Sequence, residues 1–543
     1  MPTATEMLTV VELKKVWLQI VPTRTWTLNE DIVLVPIAAF ATLVVDLRYE
    51  HVRCGPSRPA GRDTRAFNTW CGSGIVYWGR SYLGAGGVGM LLDAVLERFL
   101  DHAPLAVGVR GLLEYALAPQ PLDALFEQIV GAREDRQLLF STCTDLLATV
   151  VCRVNRSVNT AYRAAEDIPV TVAALYRRLQ RIPIDAGRSL VRHTAERLGA
   201  VIGELGGAKA DPLPGYRLKV LDGNHLARTQ RRIKALRDVA AGPLPGQSLV
   251  VLDWASGLAS DVFLCADAHA QERSLLASVL ETVGVNDVWV ADRNFCTTGF
   301  LFGIAGRGGF FVIRRHGSTL SWDEESPWAA AGRTDTGVLE EQTIELLGPD
   351  QTRVSVRRVR LSLDRPTRDG ERVIEVLTNL PSGVADAARV AELYRDRWTV
   401  EGLFLRLTTV LSCEVNTLGY PPAALFGFCV ALVASNVQAA LLAAVRGERG
   451  VAAADGVSDY YMSAELARTS EGLTIAVPEA SWSPIAGWSA QEMAMWLRTV
   501  VRRAKLERYK KAVRGPKKSK PRRTRFAQKK HIATARLLRD EQT

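Results

Sequence analysis

Between residues 215 and 316 a series of short apolar runs follows in an order that few folds can accept. YRLKVLDGNHL alternates toward an acidic end, and SLVVLDW and DVFLCADA come next, joined to each other by the turn-like ASGLAS. Three sequential strands of this kind predict a meander. QERSLLASVLETVG then carries a helical apolar period, DVWVADRNF reads as a strongly apolar strand, TTGFLFGIAG as a second helix and FFVIRRH as another strand. Three strands followed by helix, strand, helix, strand is the order of a mixed α/β sheet covered by helices on its faces.

The stretch 317–385 interrupts that alternation. TRVSVRRVRLSL and ERVIEVLTNLP are β-like and separated by DRPTRDG, a turn signal, whereas VADAARVAELYRDRWTVEGLFLRLTTVL after them is helical again. The β-rich piece therefore reads as an insertion between a core strand and a core helix. Upstream, GMLLDAVLERFL, PLDALFEQIV and RQLLFSTCTDLLATVV give a mainly helical N-terminal region, with a Gly- and aromatic-rich gap at 66–87 that predicts turns. The resulting division is 1–214, 215–316, 317–385, 386–446 and 447–543. Within the first part, SVNTAYRAAED and IPVTVAALYRRLQRI are compatible with a helix-turn-helix that presents Arg177, Arg178 and Arg181 to DNA. Two short helices with arginines are more often an ordinary amphipathic surface.

Charge locates a partner. The chain of 543 residues has a net charge of +10, yet residues 501–530 hold fifteen Lys/Arg against one acid, Glu507. The basicity is therefore local, as a C-terminal tail, and a cluster of this kind attracts phosphate polyanions such as nucleic acid. The eight cysteines include no CxxC pair, which fits neither a disulfide framework nor a zinc ribbon and suits a reducing compartment. MPTATEMLTVVELKKVW lacks the basic-then-apolar order of a secretory signal, so a cytoplasmic, nucleoid-associated protein is expected. One stretch, 423–445, is apolar enough to mimic a membrane span, but Asn436, Gln438 and its many alanines favour a helix buried in a large core.

The chemistry is expected where strands end, because α/β sheets display reactive groups there. Asp222 closes RLKVLD and Asp292 closes VWVAD. Taken singly, Asp222-Gly223 is a common turn and Asp292-Arg293 a plausible surface ion pair. YRDRWTVEGLFLRL adds a third carboxylate. At about 100° per residue, Tyr394, Arg397, Trp398, Glu401 and Thr408 fall within one arc, while Val400, Leu403, Phe404 and Leu407 centre roughly 120° away. An i, i+4 pair between Arg397 and Glu401 on a solvated face would be the default for an isolated helix, but it leaves two large aromatics unexplained. Three carboxylates offer hard oxygens to divalent metal, Mg²⁺ or Mn²⁺, and two such ions can activate water and stabilise a leaving oxygen in phosphodiester cleavage. Arg397 supplies a fork for phosphate and Trp398 a stacking face for a base. None of the seven histidines has zinc spacing and no Walker-type loop is present.

LDGNHL, the DRNFC of VADRNFCT, LTNLP, LYRDRWTVEGLF and LGYPPAALF together resemble blocks of the DDE transposases of bacterial insertion sequences, of the insertion-sequence-four type with its Tyr, Arg, Glu, Lys signature. The resemblance covers most of the chain. It implies an RNase H-like core, with 317–385 as the β-rich insertion, and Asp222, Asp292 and Glu401 as the metal-binding catalytic triad. It also implies that Tyr394 and Arg397 contact phosphate, that Trp398 stands where some relatives stack a flipped base, and that Arg293, beside Asp292, faces DNA. Such enzymes nick a transposon end and use the freed 3′-hydroxyl in strand transfer, on double-stranded DNA and as a homodimer assembled there. One position departs from the signature: its final Lys is Thr408 here, which can still hydrogen-bond a DNA phosphate but brings no charge, and Arg406 lies about 140° from Glu401 by helical rotation, a poor substitute. A catalytically impaired protein that only binds DNA is therefore the alternative.

Overall fold

The computed structural model describes residues 94–543 apart from 132–136, 166–167, 227–232, 234–241, 318–319, 349–350, 368–369, 513–530 and 541–543. The 66–87 gap, the start of GMLLDAVLERFL and most of the basic segment lie outside the described residues. Among the described residues seven helices come first: α1 (Ala94–His102), α2 (Pro104–Ala116), α3 (Pro119–Val130), α4 (Phe140–Val151), α5 (Val158–Ala164), α6 (Val172–Gln180) and α7 (Ile184–Leu205). The helical expectation for this region holds over the described part.

The sheet begins with β1 (Arg217–Leu226), β3 (Gly246–Asp253) and β4 (Ala259–Cys265), while the short β2 (Gly242–Leu244) between β1 and β3 stands outside it. A 3₁₀ turn (Glu272–Leu275) and α8 (Leu276–Leu280) lead to β5 (Asp287–Ala291), and α9 (Thr298–Ala305) leads to β6 (Phe310–Arg314). β1, β3 and β4 form the antiparallel meander, while β5 and β6 run parallel beside β1, giving the order β4-β3-β1-β5-β6. QERSLLASVLETVG is less helical than its periodicity predicts, because only five residues of it form an α-helix after the 3₁₀ turn.

Both faces of this sheet are covered, which is why β3 and β5 read as unbroken apolar runs instead of alternating ones. Val220, Val250, Val262, Val288 and Val312 point into the larger core, and Leu221, Leu249, Phe263, Trp289 and Phe311 into the second. The larger core contains α12 (Pro421–Arg449), a 29-residue helix whose central residues are nearly all buried. By length and apolarity it could cross a membrane, but here it is a core helix. Asn436, the polar residue that argued for this placement, receives the main-chain N–H of Ala259 at 2.7 Å and donates to its carbonyl at 2.9 Å, so its amide is satisfied in the core by β4. The end of α7 meets α12 so closely that a Cβ at Gly207 would collide with the carbonyl of Ala443.

The insertion is not a separate piece. β7 (Trp322–Glu325), β8 (Ala329–Arg333), β9 (Gly337–Leu347), β10 (Arg353–Leu363) and β11 (Val373–Thr378) continue the same sheet, because β11 pairs antiparallel with β6. Asn379, the Asn of LTNLP, fastens that junction: its amide accepts from Phe311 N–H at 2.9 Å and donates to the Gly309 carbonyl at 3.1 Å. Buried Arg357 on β10 donates to the carbonyls of Leu380 (3.0 Å) and Ala385 (2.6 Å), which fixes the approach to the next helix.

That helix is two. α10 (Ala387–Asp396), capped by Asp386, and α11 (Trp398–Thr409) meet at Arg397, where the hydrogen bonds tighten to three-residue spacing on both sides. Beyond the basic segment the chain is again part of the fold: β12 (His531–Ala533) pairs parallel with β2, and Arg536 bonds the carboxylate of Asp267. The chain therefore rejoins the fold through a separate two-stranded sheet, with Ala533 and Thr534 buried.

Candidate active site

Asp222 does not end its strand. β1 continues to Leu226 in register with β3, but its pairing with β5 stops at Leu221 opposite Ala291. Asp222 is therefore the first residue of β1 past the parallel ladder, and Asp292 is the first residue past β5, so the two carboxylates leave the sheet side by side at the same end. The expected consequence survives although the local reason differs. The Asp222 carboxylate accepts from Gly223 N–H at 2.9 Å.

Asp292 heads a 3₁₀ turn, Arg293–Phe295, and its carboxylate receives the Tyr394 hydroxyl at 3.4 Å. Tyr394 is buried, only 7% exposed, and its hydroxyl is pushed up to about 12 by that burial and then by the Asp292 charge. A side chain so placed supports Asp292 from beneath and does not present itself to a ligand. Arg293 neither pairs with Asp292 nor stands unopposed, because its guanidinium meets Glu371 at 3.1 Å. Arg314, at the end of β6, also binds Glu371, at 2.7 Å, and lies in the field of the Asp292 carboxylate.

Arg397 is the hub. It donates to Asp222 at 3.0 Å and to Glu401 at 2.8 Å, with its own side chain only 11% exposed. The i, i+4 pair of the default reading thus exists, but Asp222 turns it into a three-residue bridge from sheet to helix. Glu401 is half exposed, and Trp398 is 65% exposed on the outer side of α11. The arc drawn from the sequence therefore grades from a buried Tyr394 to an open Trp398. Thr408 is exposed, but its hydroxyl donates to the carbonyls of Phe404 and Leu405 in its own helix. Arg406 is directed elsewhere, toward Asp459 at 3.6 Å.

Burial raises Asp222 to about 6, opposed by Arg397 and the Gly223 N–H and reinforced by the charges of Asp292 and Glu401. Asp222 therefore senses both of the other carboxylates. In donor chemistry they suit a hard divalent ion. In position they are not a formed cage: among the described residues no three His, Cys, Asp or Glu side chains stand together as a metal site. The Arg397 guanidinium bonds two of the three carboxylates, so an ion that ligated both would have to displace it.

The comparisons with known proteins bear on this arrangement. Residues 252–434 match the model of a transposase DDE domain. The matched stretch runs from β3 to α12, contains Asp292 and Glu401, and begins after Asp222; it supports a DDE transposase family and leaves the insertion-sequence-four type unaddressed. No curated protein matches the chain. Among solved structures, the piggyBac transposase synaptic complex with hairpin DNA is similar at 10% identity, with a TM-score of 0.35, over 69% of this chain and 84% of that chain.

The arginines of the helix-turn-helix reading are divided by the fold. α5 and α6 are both helices, but Arg178 is buried with its guanidinium 4.7 Å from the Phe126 ring centre, so it packs inward where a DNA contact was expected. Arg177 and Arg181 are exposed. Two groups near the site escaped the sequence reading. Arg314 could have been found from topology, since β6 pairs with β5 and residue 314 must emerge beside 292. Glu272 carried no signal, because it lies in a stretch whose periodicity only suggested a helix.

Proposed function

We propose that this protein is a metal-dependent DNA transposase of the insertion-sequence-four type, which cleaves element ends and carries out strand transfer. The reading is carried by one coincidence: a stretch matching the transposase DDE domain supplies Asp292 and Glu401, and Arg397 connects Glu401 to Asp222 beside the same sheet end. Asp222, Asp292 and Glu401 would hold the divalent ions, Mg²⁺ or Mn²⁺ and two in number. Bound there, such ions generate a nucleophile at neutral pH and stabilise both oxygens of an in-line displacement.

The chain's own residues do the rest. Tyr394 supports Asp292 through one long hydrogen bond, and Arg397 balances Asp222 and Glu401 until its planar fork finds a DNA phosphate to bind in two places. Trp398 offers an exposed ring to a base near the cleaved bond. The basic segment makes sequence-independent phosphate contacts, and the protein works in the nucleoid as a homodimer on paired element ends. Thr408 favours the second reading, a DNA-binding protein impaired in catalysis, because its hydroxyl is engaged within its own helix and adds no charge.

The deciding experiment uses DNA that flanks the coding region. Asp222→Asn, Asp292→Asn and Glu401→Gln should each abolish Mg²⁺-dependent cleavage while leaving DNA binding near normal. Unaltered nicking by any of the three would remove that residue from the triad. Binding without cleavage by the unmodified protein would favour the impaired reading.

A further inference from the structure

Glu272 and Arg273, in the 3₁₀ turn before α8, grip one residue between them. The amide of Asn294 donates to the Glu272 carboxylate at 2.5 Å, and the Asn294 carbonyl accepts from Arg273 Nε at 2.7 Å. Asn294 lies in the turn headed by Asp292. The same Glu272 carboxylate rests against the backbone of Gly223, in the space a Cβ would occupy there, and Gly223 follows Asp222. One side chain thus touches the backbone next to one catalytic carboxylate and the side chain two residues beyond the other.

That position matters because Asp292 is weakly held from within. Its turn has no side-chain cap, and the Tyr394 hydroxyl reaches it only at 3.4 Å. The sheet fixes Leu221 opposite Ala291, but past those residues no ladder bond between β1 and β5 sets the spacing of the two acids. We infer that Glu272 is a positioning residue that, with Arg273, clasps Asn294 against Gly223 and so sets the separation of Asp222 and Asp292. Its metal consequence rests on the reading given under Proposed function. It acts one step behind the carboxylates, through the backbone on which they stand, and loss of groups that orient metal-holding side chains typically weakens metal affinity about 10- to 100-fold.

The full-length protein tests this with two readouts. Hydrogen exchange of residues 293–297 measures the clasp itself, and calorimetric titration with Mn²⁺ measures its consequence. Glu272→Ala should raise exchange in that turn and weaken Mn²⁺ by about tenfold or more. Glu272→Gln keeps an oxygen for the Asn294 amide and should stay close to wild type in both. Gly223→Ala pushes the carboxylate away and should behave like Glu272→Ala, which secures the result if one variant fails to fold. Unchanged exchange in Glu272→Ala would overturn the clasp. Equal loss in Glu272→Gln and Glu272→Ala would overturn it in favour of a role for the charge. If the wild type showed no Mn²⁺ binding that depends on Asp222, the functional reading would fall, while the exchange result would still decide the clasp.

Discussion

Arg397 bonds Asp222 at 3.0 Å across 175 residues of sequence, and with its other nitrogen it holds Glu401. The bridge joins the centre of the sheet to the joint between α10 and α11. It explains why an arginine sits where the helical hydrogen bonds tighten: at the joint its guanidinium can reach back to β1 and forward along α11 together. Two carboxylates that would repel are held near each other by one cation.

Removal of that cation should be costly when no metal is bound. Arg397→Ala leaves Asp222 partly buried beside two other carboxylates, and loss of one partner of a largely buried pair is destabilising, here by roughly 2 kcal/mol given the exposure of Glu401. On the proposed reading Mg²⁺ or Mn²⁺ would supply the missing charge, so the thermal shift on adding either ion should be larger in the variant than in the wild type. Melting curves with and without metal check this. Equal metal-induced shifts in both proteins would show that Arg397 and the ions do not share these oxygens.

Asp222→Asn should act in the opposite direction. Asp222 is raised from 3.8 to about 6, so the fold prefers it protonated, and at pH values above about 6 the charge is a net burden. The penalty is fully present above pH 6, shrinks as pH falls through the window between about 6 and 4, and is absent below it. The variant should therefore be more stable at pH 8, by up to roughly 2 kcal/mol, and match the wild type near pH 4. Denaturant titrations at the two pH values decide; a stability gain that persisted at pH 4 would contradict a burial penalty as its source.

The outcome for particular residues shows what a single chain discloses. Asp292 and Glu401 were legible because a strand end and a helical period are local patterns. Asp222 was legible as a residue but not as a position, since only pairing shows that β1 outlasts its contact with β5. Tyr394 fell on the correct arc, yet depth along an arc depends on what packs over it, which angular period alone does not contain. Arg178 looked like its neighbours Arg177 and Arg181 because burial under an aromatic ring has no sequence signature at that length. The strand at 531–533 was hidden for a different reason: three residues are too few for a period, and its partner, β2, is as short.

Tyr394→Phe isolates the support given to Asp292. The ring stays in its pocket, and the lost hydrogen bond is long, so stability should change by about 1 kcal/mol or less. Cleavage should fall about tenfold, in the turnover rate instead of DNA affinity, because Tyr394 is buried and is not expected to touch phosphate. Gel-shift and cleavage assays on the same preparation separate the two. A loss of affinity with unchanged cleavage would return Tyr394 to the phosphate-contacting role that the signature implies.

The return of the chain to β2 yields a prediction about the basic segment. Deletion of 512–543 removes a cluster of Lys and Arg together with β12, whereas deletion of 531–543 keeps nearly all of the charge and removes β12, the short helix after it (Thr534–Asp540) and the contacts of Arg536 and Arg539 with Asp267. Phosphate contacts set the salt dependence of binding at a slope of roughly −0.9 per phosphate neutralised. The longer deletion should therefore flatten the slope. The shorter one should largely preserve it while weakening affinity, since the charges remain but are tied to the fold at one end only. Binding measured across a salt series distinguishes these. An unchanged slope after the longer deletion would leave the segment with no phosphate to contact, and unchanged affinity after the shorter one would mean that β12 serves the fold alone.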